Sequence, residues 1–224
     1  MKQMLSYPLN PLPAEPATSK PAGIRERKRE EKVERILAAS MAVFAEEGYS
    51  GFSMRKVALR ADVRLNTIQH HFGDLDTLLV ATVQAMASRY MDTWQQIADN
   101  VDLSPLERLE IIIDYNLRDA LKYSVQAFFA ETQVATFHNE KVFSVTARFY
   151  AQYLDIYAGL IKQIADRSDI EALILARMIA SWQEGVAVTQ RFTPERSPST
   201  GSVLVRIKAA CLALAVGNKA WGAM

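Results

Sequence analysis

Residues 53–72 read SMRKVALRADVRLNTIQHHF. Two apolar segments, Met54 to Ala61 and Leu65 to Phe72, are each about two helical turns long, and Asp62, Val63 and Arg64 separate them. Ser53 is a good N-cap for the first, because its hydroxyl can accept an otherwise unsatisfied first-turn amide. Asp62 stands where so tight a turn calls for positive φ, which Asp tolerates better than most residues. Two short helices joined this closely predict a helix-turn-helix. In the second segment Leu65, Ile68 and Phe72 are spaced as one buried stripe, which turns Arg64, Asn66, Thr67, Gln69, His70 and His71 outward. That face carries the chemistry for reading base edges. Asn and Gln pair bidentately with adenine, Arg and His donate to guanine, and the Thr methyl touches thymine. Arg55 and Lys56 on the preceding segment are placed to hold phosphates. With Ser53, these nine residues are the candidate DNA contacts.

The chain on either side is helical by pattern. Upstream, Val33, Ile36, Leu37, Ser40 and Phe44 follow a helical spacing, and the helix is expected to end near Gly48. Downstream, Asp74 can cap a long helix running to about Ala98, and Ser104 followed by Pro105 opens another to about Leu121. Further helices are expected over 124–137, 140–165, 169–191 and 202–217, with a loop from Pro194 to Gly201. No strand alternation occurs, so the expected fold is all-α with about nine helices. Five of the eight prolines lie within residues 1–21, which have no hydrophobic period, and residues 1–23 read as a disordered arm. The expected domains are therefore 24–73 for the helix-turn-helix and 74–224 for a larger helical unit.

The whole chain of 224 residues has a net charge of +1, which by itself argues against nucleic acid. The distribution reverses that inference. Residues 20–73 carry eleven Lys and Arg against seven Asp and Glu, whereas residues 74–224 carry fourteen against seventeen. One cysteine, Cys211, excludes a disulfide framework within the chain and a Cys-rich zinc site. The longest apolar run, Ala209 to Gly217, is about half of the roughly 18 residues that span a bilayer. A cytoplasmic protein with no membrane association is the expectation.

Residues 25 to about 80 resemble the DNA-binding domain of the TetR family of bacterial transcriptional regulators. The resemblance rests on Ile36-Leu37 through Phe44-Ala45-Glu46-Glu47-Gly48-Tyr49, on Ser53-Met54-Arg55-Lys56-Val57-Ala58, and on Thr67-Ile68-Gln69-His70-His71-Phe72 leading to Leu78. It implies a homodimeric regulator, usually a repressor, that binds a palindromic double-stranded operator and releases it when a small-molecule effector binds the larger domain. This chain departs from the family at Asp62 and Asn66, where glycine is usual or frequent, at Gln69, where tyrosine is common, and at Leu75, where lysine is frequent. The departures imply an altered base readout and one phosphate contact fewer.

No metal or cofactor is expected. His70 and His71 are adjacent, so on a helix they point about 100 degrees apart, and His138 reads as a capping or surface residue. Cys211 sits in an apolar run and reads as a small hydrophobe. No nucleophile with a base, catalytic carboxylate pair or phosphate-binding glycine loop is recognisable, so an enzyme is not expected. Of the aromatics Trp94, Tyr115, Phe128, Phe129, Phe149, Tyr150, Tyr153, Tyr157 and Trp182, most belong in a core and some are expected to line an effector cavity. From Ile170 to Val188 and from Val203 to Val216 apolar side chains occur on nearly every face. Such helices need cover on two sides, which predicts a homodimer through the last two helices. The alternative is a helical interaction or scaffold protein that keeps the helix-turn-helix only as structure.

Overall fold

The computed structural model describes residues 23–192 and 200–217. The arm expected before Gly23, and residues 193–199 of the expected loop, lie outside them. Nine α-helices follow one another among the described residues: α1 (Ile24–Gly51), α2 (Met54–Arg60), α3 (Leu65–Phe72), α4 (Leu75–Ala98), α5 (Pro105–Asp119), α6 (Tyr123–Thr136), α7 (Glu140–Ile164), α8 (Asp169–Thr189) and α9 (Thr200–Val216). A 3₁₀ turn, Gln190–Phe192, extends α8, and α9 begins inside the stretch expected to be loop.

Local chemistry accounts for most of the boundaries. The side chains of Ser53, Asp74 and Ser104 accept the amides of Lys56, Thr77 and Glu107 at 3.3, 2.7 and 3.3 Å. Glu107 returns the interaction to the Ser104 amide and completes a capping box. Asn139 caps α7, so His138 is not a cap; it is exposed, and its ring stacks on Tyr49 at 5.6 Å. The end of α1 needs a different explanation. Gly48 adopts φ 70°, which breaks the helical hydrogen bonding and frees the Tyr49 amide to donate to Glu131 Oε2 at 2.7 Å. A Cβ at Gly48 would stand 2.8 Å from that carboxylate, so both the conformation and the space require glycine.

Two apolar clusters organise the chain. The first joins Ile36, Val43 and Phe44 of α1 to Val57, Ile68, Leu78 and Val83, and it continues into Phe128 and Ala135 of α6 and Val142 and Val145 of α7. Inside it, the Ser40 and Thr82 hydroxyls meet at 2.5 Å. The second cluster is built from α4, α5, α7, α8 and α9 around Trp94, Ile112, Tyr157 and Ile179. Its interior is polar at one line of contacts. Trp94 Nε1 donates to Asn116 Oδ1 at 2.8 Å, Asn116 Nδ2 donates to the Tyr157 hydroxyl at 3.0 Å, and Gln183 Nε2 donates to the same hydroxyl at 3.1 Å. This chain of bonds fixes α4, α5, α7 and α8 against one another, because each buried partner would be costly to leave unpaired. Cys211 is buried in the same cluster, and burial pushes its thiol up to about 12, so it packs as an uncharged group.

Candidate nucleic-acid interface

Val57 and Ala58 anchor α2 in the first cluster, and Ile68 anchors α3. Between the two helices Asp62 adopts φ 51°, with the Val63 amide donating to the Ala58 carbonyl at 3.0 Å. The short side chain of Asp tolerates this left-handed conformation, which turns α3 sharply away from α2. At the far end Gly73, φ 75°, reverses the chain into the Asp74 cap of α4.

These constraints leave Arg64, Asn66, Gln69 and His70 exposed along α3. Thr67 and His71, expected on the same outward face, are only half-exposed, and Leu65 and Phe72 are half-buried rather than sealed in the core. A helix of two turns divides its circumference gradually between core and solvent, so the flanking positions are shared. His71 also feels its neighbours. Burial, followed by the charges of His70, Arg29 and Lys32, lowers its pKa below the ordinary 6.5. The imidazole is thus mainly neutral near pH 7, offering one donor and one acceptor.

On α2, Arg55 and Lys56 are exposed, but they are not equivalent. Lys56 Nζ already pairs with Glu47 Oε2 at 2.6 Å, and Arg60 is held by both oxygens of Glu46. Acidic residues of α1 therefore offset part of the positive charge of α2. Ser53 is half-exposed, and its oxygen serves as the cap of α2 while its proton stays available as a donor.

The interface is mechanically tied to the rest of the chain. Phe44 of α1 packs edge-on against Phe128 of α6, with ring centroids 5.3 Å apart. Phe128 also lines a cavity of about 30 Å3 between α4, α6 and α7, together with Met86, Phe129, Thr146, Phe149 and Tyr150 among others. The Thr146 hydroxyl in this wall is buried and has no hydrogen-bond partner among the described residues. Periodicity alone did not reveal this cavity, because it marks buried faces without saying which of them meet.

Among the described residues no cluster of His, Cys, Asp and Glu is placed to hold a metal ion, and no helix is long and apolar enough to cross a membrane.

Comparison with known proteins places these features in a family. Residues 36–82 match the family described as bacterial regulatory proteins, tetR family. An HTH-type transcriptional regulator encoded in the dhlA 5′ region of Xanthobacter autotrophicus is 25% identical over 185 residues, covering 80% of this chain and 90% of the relative. The fold is shared with a TetR transcription regulator from Haloarcula marismortui, at TM-score 0.68 and 16% identity over 83% of this chain and 97% of the other. It is also shared with the transcriptional regulator FadR of Bacillus subtilis in complex with stearoyl-CoA, at TM-score 0.64 and 17% identity over 83% and 98%. The matched segment runs from the first fully buried residue of α1 through the exposed α3 face and into α4, so residues 36–82 are a DNA-binding domain of the TetR family and the chain is a DNA-binding transcriptional regulator.

Proposed function

We propose that this regulator is a ligand-responsive repressor, acting in the cytoplasm as a homodimer on a palindromic operator. Residues 24–73 form the DNA-binding unit, and the helices from residue 74 onward form the effector and dimerisation unit. Arg64, Asn66, Gln69 and His70 read base edges, with Thr67 and His71 at the margins of that face, while Ser53, Arg55 and Lys56 contact the backbone. Arg55 contributes more than Lys56, whose ammonium must first release Glu47.

The observation that carries the ligand response is the position of Phe128, which both lines the cavity and packs against Phe44 of α1. At about 30 Å3 the cavity has room for little more than water, against roughly 300–1,000 Å3 for a small-molecule site. A ligand entering there must push α6 or α4 aside, and either movement is felt by the helix-turn-helix. The lining residues carry no charge, so the matching ligand is uncharged and largely apolar, with one group to satisfy Thr146. The similar fold of FadR, bound to stearoyl-CoA, supports a ligand-binding role without fixing the ligand's identity.

Two measurements test this reading. Gln69→Ala is expected to cost roughly 1–3 kcal/mol on a selected operator and much less on random DNA, whereas Arg55→Ala weakens both and lowers the salt slope by about one unit. Equal losses on the two DNAs for Gln69→Ala remove base readout from that residue. For the ligand, coupling is reciprocal, so operator must weaken ligand binding by the factor with which ligand weakens operator binding, about 5–150-fold. Calorimetry on a molecule retained through purification gives that factor, and identical ligand affinities with and without operator defeat induction by it.

A further inference from the structure

The first buried residue described in α1 is Ile36. At 1.5 Å per residue, the helix before it extends roughly 18 Å beyond the core, and residues 26–32 are exposed throughout. Charge in this projection is sorted by face. Lys28, Arg29, Lys32 and Arg35 recur at helical spacing on one side, and Glu26, Glu30, Glu31 and Glu34 occupy the other. Arg27 pairs with Glu31 at 3.5 Å on the acidic side. Lys28, Arg29, Lys32 and Arg35 form no ion pair among the described residues.

The basic stripe continues an existing one. Lys28, Lys32 and Arg35 are in helical register with Ile36, Ala39 and Val43, the face of α1 buried in the first cluster. The stripe therefore prolongs the face of α1 that joins the core to which α2 and α3 also contribute. The influence of Arg29 and Lys32 on His71 agrees with this placement, since His71 lies at the end of α3. The family match starts only at Ile36, so the projection lies outside the matched domain.

We propose that the projecting turns of α1 form a second DNA contact, in which Lys28, Arg29 and Lys32 grip the phosphate backbone beside the groove that receives α3. The inference rests on DNA binding by the helix-turn-helix. Duplex DNA is the fitting partner because the stripe adjoins the reading helix, and four cations facing one way with the acids turned aside suit a polyanion. The opposite, acidic face limits the grip to one orientation. Phosphate contacts of this kind add affinity without sequence information.

A random-sequence 40-bp duplex suffices as the probe. Fluorescence anisotropy of the full chain between 50 and 200 mM salt compares wild type with K28A/R29A/K32A. Each phosphate contact contributes about 0.9 to the salt slope, so the slope is expected to fall by roughly two to three units per bound subunit. The charge-preserving variant K28R/R29K/K32R is expected to retain the wild-type slope, and circular dichroism verifies that α1 remains helical in both. An NMR titration supplies an independent readout, in which K32A moves the His71 midpoint upward. An alanine-variant slope within half a unit of wild type overturns the proposal, as does a loss of slope in the charge-preserving variant. If wild type itself fails to bind both random duplex and duplexes selected from a random pool, the DNA-binding reading falls instead.

Discussion

Phe44→Ala is expected to destabilise the protein by about 3–5 kcal/mol, the usual cost of removing a buried phenylalanine. Phe44 is fully buried and meets Phe52 and Phe128 edge-on, with centroids 5.5 and 5.3 Å away. No small rearrangement fills the resulting hole, because the surrounding positions belong to α1, to the segment leading into α2, and to α6. The loss is a large share of the roughly 5–15 kcal/mol that holds a typical domain together. It also discriminates between two ways of unfolding. Trp94 and Trp182 both pack in the second cluster, so their emission reports on that core, whereas far-UV circular dichroism reports on the whole chain. A core shared through Phe44 and Phe128 predicts that both midpoints in urea fall together. A shift in dichroism with unchanged fluorescence would show the helix-turn-helix unfolding alone, and the route from cavity to α1 through Phe128 would lose its basis.

Much of this architecture was legible because it is local. Ser53, Asp74 and Ser104 announce helix starts through their own side chains, and Asp62 marks a turn whose φ it adopts. The exposed face of α3 was legible at Arg64, Asn66, Gln69 and His70 for a related reason, since a single buried residue, Ile68, sets the orientation of a two-turn helix. Misjudgements arose where a distant element intervenes. Helical spacing cannot foresee that Glu131, 82 residues along the chain, accepts the Tyr49 amide, or that Glu47 holds Lys56. The basic stripe of α1 is an instructive exception. Its residues were counted in the N-terminal charge excess, yet a sum over the segment cancels Lys28 against Glu30. Only projection around the helix, with knowledge of where the core ends, separates the two faces.

The second large effect is expected at the outer faces of α8 and α9. The inner face of α8 is spent on the second cluster through Ala172, Ala176, Ile179 and Ala180, and Gln183 and Val186 are buried as well. Yet Ile170, Leu173, Ile174, Met178 and Val188 remain exposed on it, as do Val205 and Val216 on α9, with Ile170 74% and Val205 65% accessible. In the proposed homodimer a second copy of the chain covers these stripes and sets the two α3 helices at the roughly 34–36 Å that separates successive major grooves. Placing charge in the stripes, as Ile174→Glu with Val205→Glu, forces two carboxylates per subunit into an apolar contact and is expected to yield monomers at micromolar concentration by sedimentation velocity. Operator binding then loses its second attachment point and falls by about two to four orders of magnitude, while the contacts within each helix-turn-helix stay intact. Val101→Glu is the matching control, because Val101 is 89% exposed but lies between α4 and α5, on neither α8 nor α9. A dimer that survives the double substitution moves the interface elsewhere, and a monomer that binds operator undiminished breaks the link between dimer geometry and recognition.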